Sequence, residues 1–284
     1  MEGADPDLLT GRGASGSLGH MTAAFIVKLI LSFVLGGAWI ALGVAVAERR
    51  GSKLGGLIIG FPSTVLIAVF FIGWTQSTEA AARATTVIPV VFGVNYLFLL
   101  VAVSLMKRGL WPALAAGLAV WGALSALVVA LKFDDFWAGV LVYAACFAFA
   151  YWRLGRVVPA GAEDPSRVRP AGPLLIAGRA IFGGAIIALA VLLAKLGGPL
   201  IGGVFAIFPA VFTGALVTTA ISHGAGFSAA LMRSTLIGGI SVVVFAIAVR
   251  LSFIPLGLGL GALVSTLAPL ASTLIIWAIR HSKE

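Results

Sequence analysis

Long apolar runs, each closed by a short cluster of charge, glycine or proline, recur from residue 22 to residue 279. These breaks divide the chain into candidate spans at 22–47, 54–74, 80–106, 110–132, 135–152, 174–195, 199–221, 226–249 and 253–279. About 20 apolar residues in α-helical form cross a hydrocarbon core of about 30 Å, and a helix closes its own backbone hydrogen bonds there. The pattern therefore predicts an all-α polytopic membrane protein with about nine transmembrane helices. Composition agrees, since a chain that is 61% hydrophobic and 10% charged has too little charge to solvate a globular surface. Residues 1–20 are polar, rich in glycine, and lack the basic-then-apolar order of a signal peptide, so they are expected to form a disordered tail.

The longest polar connection, 153–173, carries Arg153, Arg156, Arg167 and Arg169 with four prolines and separates two halves. Sliding 36–69 forward by 147 positions places Gly36, Gly37, Gly51, Gly55, Gly56, Phe61 and Pro62 on Gly183, Gly184, Gly198, Gly202, Gly203, Phe208 and Pro209. Apolar residues match by chance, whereas paired glycine and proline punctuation is harder to obtain. With a shift of 150, Arg83-Ala-Thr85 falls on Arg233-Ser-Thr235. The expected organisation is a first four-span repeat at 21–132, a linking transmembrane helix at 133–152, a cytoplasmic loop at 153–173 and a second four-span repeat at 174–280. An odd linking helix makes the second unit enter the membrane from the other side, giving two inverted repeats.

Net charge changes the picture in one respect. The value of +9 would suit nucleic acid on a soluble face, but here the basic residues sit mainly in short loops. Eleven of them (Arg49, Arg50, Lys53, Lys107, Arg108, Arg153, Arg156, Arg167, Arg169, Arg280 and Lys283) fall on one side, against Arg12, Lys132, Lys195 and Arg250 on the other. By the positive-inside rule the N-terminus is outside and the C-terminus cytoplasmic. The partner expected is a lipid bilayer, with no nucleic acid, and the oligomeric state is left open.

The stretch FPSTVLIAVFFIGWTQSTEAAARATTVIPVVFGVNYLFLLVAVSL, from Phe61, resembles the GlpM family and related small bacterial membrane proteins of unknown function, each about one four-span unit long. The shared pattern is Phe-Pro in an apolar helix, a short polar turn, an alanine-rich Arg-Thr-Thr-like segment, here Arg83-Ala-Thr-Thr86, and then two further spans. The second half keeps Phe208-Pro209 and Arg233-Ser-Thr235 but has SHGAG where the first has TQSTE. This resemblance implies a bacterial inner-membrane protein and implies no biochemical activity.

Candidate chemistry is sparse. Proline inside a helix removes a hydrogen bond, and Pro62 and Pro209 stand near the middle of equivalent spans, loosened by Gly55, Gly56, Gly60, Gly202 and Gly203. Paired interruptions of this kind point to a midplane transporter site, formed here with Phe61, Thr64, Phe208 and Thr213; close packing with proline kinks is the alternative. Lys28, Arg83, Arg179 and Arg233 lie within spans, where an ionisable group is a functional candidate, unless it snorkels to the headgroups. Glu79 is placed to pair with Arg83 one turn away. No acid falls deep in a span, which favours a small anionic solute or a lipid headgroup over a cation.

Thr218, Thr219 and Asn95 are expected to bond across helices, and the seven tryptophans mostly to anchor span ends. His223 beside Ser222 has no acidic neighbour, Cys146 is alone, and no phosphate loop or metal-spaced cluster occurs, so no enzyme activity, metal or cofactor is expected. Two readings remain: a secondary transporter or facilitator working around two proline-broken helices, and a non-transporting scaffold or accessory subunit of an envelope-polymer system.

Overall fold

The structure, a computed structural model, describes residues 23–48, 57–158 and 172–281. The expected tail, Gly51, Gly55 and Gly56, the cations Arg49, Arg50, Lys53, Arg167, Arg169 and Lys283, and most of the 153–173 loop lie outside those residues. Every regular element within them is helical: α1 (Ala23–Glu48), a short helical piece at 57–60, α2 (Ser63–Thr75), α3 (Thr78–Ala84), α4 (Ile88–Leu105), α5 (Leu110–Ala130), α6 (Phe136–Val157), α7 (Pro173–Gly197), α8 (Pro199–Ala206), α9 (Ala210–Gly238) and α10 (Ile240–His281). Six helical stretches are long and apolar enough to cross a membrane, the last running 81 residues from Pro199 to Ile279, and a shorter apolar helix covers Ala23–Trp39. This is the build of a multi-pass membrane protein.

The long last stretch is not one rod. Gly224 has φ 84° and Gly257 φ 71°, values that strain any residue with a Cβ. Nine residues of straight helix span roughly 13 Å. Yet Thr219 Oγ1 donates to Ser228 Oγ at 2.9 Å, and Ser252 Oγ donates to the Gly261 carbonyl at 3.1 Å. The chain therefore folds back at both glycines.

Water plays no part in holding such helices together, so close approach has to come from small residues. α1 and α7 show how: a Cβ on Gly37 would collide with the main chain of Ala180, and one on Gly184 with the main chain of Phe33. Adding 147 to 33 and 37 gives 180 and 184, so the contact is reciprocal. α4 lies at the centre, with Tyr96, Phe98 and Leu99 fully buried. The periphery is apolar instead of polar. Ile26, Val27, Ile30, Val34 and Leu35 on α1, and Leu260, Leu263, Leu267, Leu270 and Leu274 on α10, are all exposed, as a hydrocarbon surround requires.

Two expectations need adjusting. Arg153 and Arg156 belong to α6, not to the loop, because nothing stops the helix before Pro159. The Asp135 carboxylate accepts from the Trp137 and Ala138 amides at its start, while Arg156 lies 3.9 Å over the Trp152 ring at its end. Six tryptophans are exposed, as anchors should be, but Trp121 in the middle of α5 is buried.

Gly37→Ala and Gly184→Ala are each expected to cost about 1–3 kcal/mol by overpacking the α1–α7 crossing. Gly122, where an added Cβ meets nothing within 4 Å, supplies the control. Thermal midpoints in detergent should fall for the first two and hold or rise for Gly122→Ala.

Candidate functional site

The two Phe-Pro pairs adopt the same local structure. Pro62 has φ −71° and ψ 44°, and Pro209 φ −75° and ψ 44°, each immediately before a helix. The Ser63 amide donates to the Phe61 carbonyl at 2.7 Å, and the Ala210 amide to the Phe208 carbonyl at 2.7 Å. Helical bonding resumes where Leu66 donates to the Pro62 carbonyl at 2.9 Å and Thr213 to the Pro209 carbonyl at 2.8 Å. The cause is local. Proline has no N–H and disfavours helical geometry in the residue before it, so each helix stops short of the Phe-Pro pair and restarts after Pro.

Both breaks open on one cavity of about 30 Å³. Its lining pairs across the halves. A shift of 147 relates Gly60 to Ile207, Phe61 to Phe208, Pro62 to Pro209, Thr64 to Val211 and Val65 to Phe212, and a shift of 150 relates Phe92 to Val242. Twelve of the fifteen lining residues fall in these six pairs; only Ile59, Ser63 and Asn95 do not, so the cavity is nearly symmetric in shape but not in polarity. Glycines bring the walls together. A Cβ on Gly60 would lie 2.6 Å from the main chain of Gly238 and Gly239, and one on Gly203 would strike the Ala84 carbonyl.

The first turn of a helix leaves amides without helical acceptors. At the restarts these include the amides of Thr64 and Val65 on α2 and of Val211 and Phe212 on α9, all residues that line the cavity. Both helix starts, with the partial positive charge of their first turns, thus lie at the wall of that space. Asn95 on α4 supplies the opposite polarity: its Nδ2 donates 2.9 Å to the Ile207 carbonyl at the end of α8, and its Oδ1, buried, has no hydrogen-bond partner. At the position related to Asn95 by the shift of 150 stands Phe245, which has no such group.

Of the residues anticipated from sequence, the cavity collects Phe61, Pro62, Thr64, Phe208 and Pro209. Thr213 lies one turn along α9, and its buried Oγ1 has no partner. The four cations do not line the space. Lys28 donates to the Trp74 carbonyl at 2.7 Å, holding the C-terminal end of α2, roughly 18 Å of helix from the break. Arg83 is in the last turn of α3, exposed, with Glu79 in its first turn. Arg233 is half-buried, 5.3 Å over the Tyr151 ring and near Gly155. Each of these arginines precedes its lining residue, Phe92 or Val242, by nine positions, roughly 13 Å of helix. Arg179 is closer: it is buried, and its Cγ lies 3.7 Å from where a Cβ on Gly214 would sit on α9.

Sequence reasoning missed Trp121. Its ring packs edge-on against Phe208 at 4.9 Å, and Phe182 meets Phe208 from α7 at 6.1 Å. Among the described residues Phe61 has no such ring partner. A tryptophan far from either end of its span was the available signal. Of the hydroxyls expected to bond across helices, Thr218 bonds within its own helix, while Thr219 also reaches Ser228 across the fold-back.

Residues 176–282 match the family model of a protein of unknown function, DUF3147. No curated protein and no solved structure matches the chain.

If the cavity admits small polar solutes, thiols placed around it should report this in a Cys146→Ala background. Thr64→Cys and Val211→Cys are expected to react with a small charged thiol reagent, whereas Ala68→Cys and Ala215→Cys, one turn deeper in packed positions, should not. Equal labelling at all four positions would show that the lining is packed shut.

Proposed function

We propose that this protein is a secondary transporter or facilitator that moves a small anionic solute past two proline-broken helices. The observation that carries the reading is the pair of breaks with one geometry sharing one cavity. Discontinuous helices whose N-terminal ends face a common space are the membrane form of an anion site. Charge supports the sign of the solute. Arg179 is buried near the second break, Arg83 and Arg233 stand at equal helical distances from the cavity, and no acid lines it. A non-transporting scaffold needs only to pack, and gains nothing from an open space between matched breaks.

The architecture that fits this function is nine crossings in two inverted four-span units, with the fold-backs at Gly224 and Gly257 dividing the long last stretch into three. The reciprocal glycine contacts of α1 and α7 and the six matched pairs round the cavity support that arrangement. The segment matched by the family, 176–282, nearly coincides with the second unit at 174–280. On this reading the chain is a tandem duplication of a GlpM-like unit in a bacterial inner membrane, N-terminus outside.

Solute flux in proteoliposomes across a panel of small anions is the direct test. Pro62→Ala and Pro209→Ala should each lower the rate about tenfold or more, because a continuous helix removes the free amides from the cavity. Arg83→Ala with Arg233→Ala is expected to slow anions severalfold, less so at high salt, and to leave neutral solutes unchanged, since exposed or half-buried cations steer more than they bind. Flux indistinguishable from empty liposomes with every anion would sink the proposal.

A further inference from the structure

The cavity is lined by the first turns of two helices, by the hydroxyl-bearing Ser63 and Thr64, and by Asn95, whose amide oxygen narrows what fits. Asn95 cannot turn its amide over, because doing so would set Oδ1 against the Ile207 carbonyl that Nδ2 now serves at 2.9 Å. Oδ1 is therefore fixed as a buried acceptor lacking a partner, on a residue only 2% exposed, at the wall of the cavity. An anion with no hydrogen satisfies the amides of Val65 and Phe212 but places its lone pairs against that oxygen. A neutral amide satisfies Oδ1 and wastes the helix ends. Size narrows the choice further. A cavity of about 30 Å³ holds about two waters, given roughly 10–15 Å³ for one, so the solute has to be small.

We infer that the site selects a small oxyanion that keeps one hydrogen, of the size and shape of hydrogencarbonate: its charged oxygens take the first-turn amides of α2 and α9, and its hydroxyl donates to Asn95 Oδ1. This rests on the reading of the cavity as a solute site and adds the class of solute. Selection lies in the mismatch suffered by other ligands, since a buried acceptor left unpaired disfavours a bound state more than a made bond favours it.

Three nearly isosteric planar probes separate the elements of the claim. Hydrogencarbonate has charge and a hydroxyl, nitrate has charge alone, and urea has N–H donors and no charge. Thermal stabilisation of the detergent-solubilised full chain, titrated with each at pH 8 and constant ionic strength, reads affinity without relying on transport. Hydrogencarbonate should bind about tenfold more tightly than nitrate or urea, the equivalent of about one hydrogen bond. In Asn95→Leu the advantage over nitrate should vanish, and the wild-type comparison stands even if that variant does not fold. Equal affinity for nitrate overturns the hydroxyl contact, equal affinity for urea overturns the anion, and no stabilisation by any probe overturns the site. If nitrate and hydrogencarbonate bind alike yet anions still cross proteoliposomes, this inference fails while the transport reading survives. Absence of all flux with selective binding has the opposite meaning.

Discussion

Everything at the centre of this molecule depends on the rule that a backbone group in hydrocarbon must find its partner within the protein. Two helices stop in mid-course at Phe61-Pro62 and Phe208-Pro209, and each interruption strands amides and carbonyls where water is scarce. The fold answers locally first, with the tight turns from Phe61 to Ser63 and from Phe208 to Ala210. It answers again through Asn95, which takes up the Ile207 carbonyl. The first turns that follow lie at the cavity wall. Such a cost in a bilayer is tolerated where irregular backbone lines a space or is wrapped by protein, and here both conditions hold.

Much of this was legible in the sequence, for reasons that differ between residues. Apolar run length reveals helices that cross a bilayer because the lipid imposes it, and matched Gly-Phe-Pro punctuation reveals the breaks because proline acts on its own chain. Asn95 could be read as a polar residue bonding across helices, but not as a residue facing the second break. That assignment depends on α4 passing between the two halves, which no local pattern records. The role of Lys28 is hidden for a similar reason. It stands within a span as a candidate charge, and it serves the end of α2 beside Trp74. Only a neighbour 46 residues away reveals that use.

The near-symmetry of the cavity makes its departures informative. Phe208 is held between Trp121 and Phe182, whereas Phe61 has no such ring partner among the described residues. Asn95 corresponds to Phe245 under the shift of 150. Two identical walls would present a solute with the same energy from either side, so any direction in the space comes through such differences. Its shape follows the matched positions, while polarity and stiffness are set by single residues outside the matched pairs.

Gly60 rests directly on the main chain of Gly238 and Gly239, and Gly203 on that of Ala84. Each interrupted helix is therefore braced by the half to which it does not belong, with no side chain between to absorb a misfit. Neither half carries a complete mould for its own break. Sequence drift on one side of these contacts must then be answered on the other, so the two stretches are bound to change together.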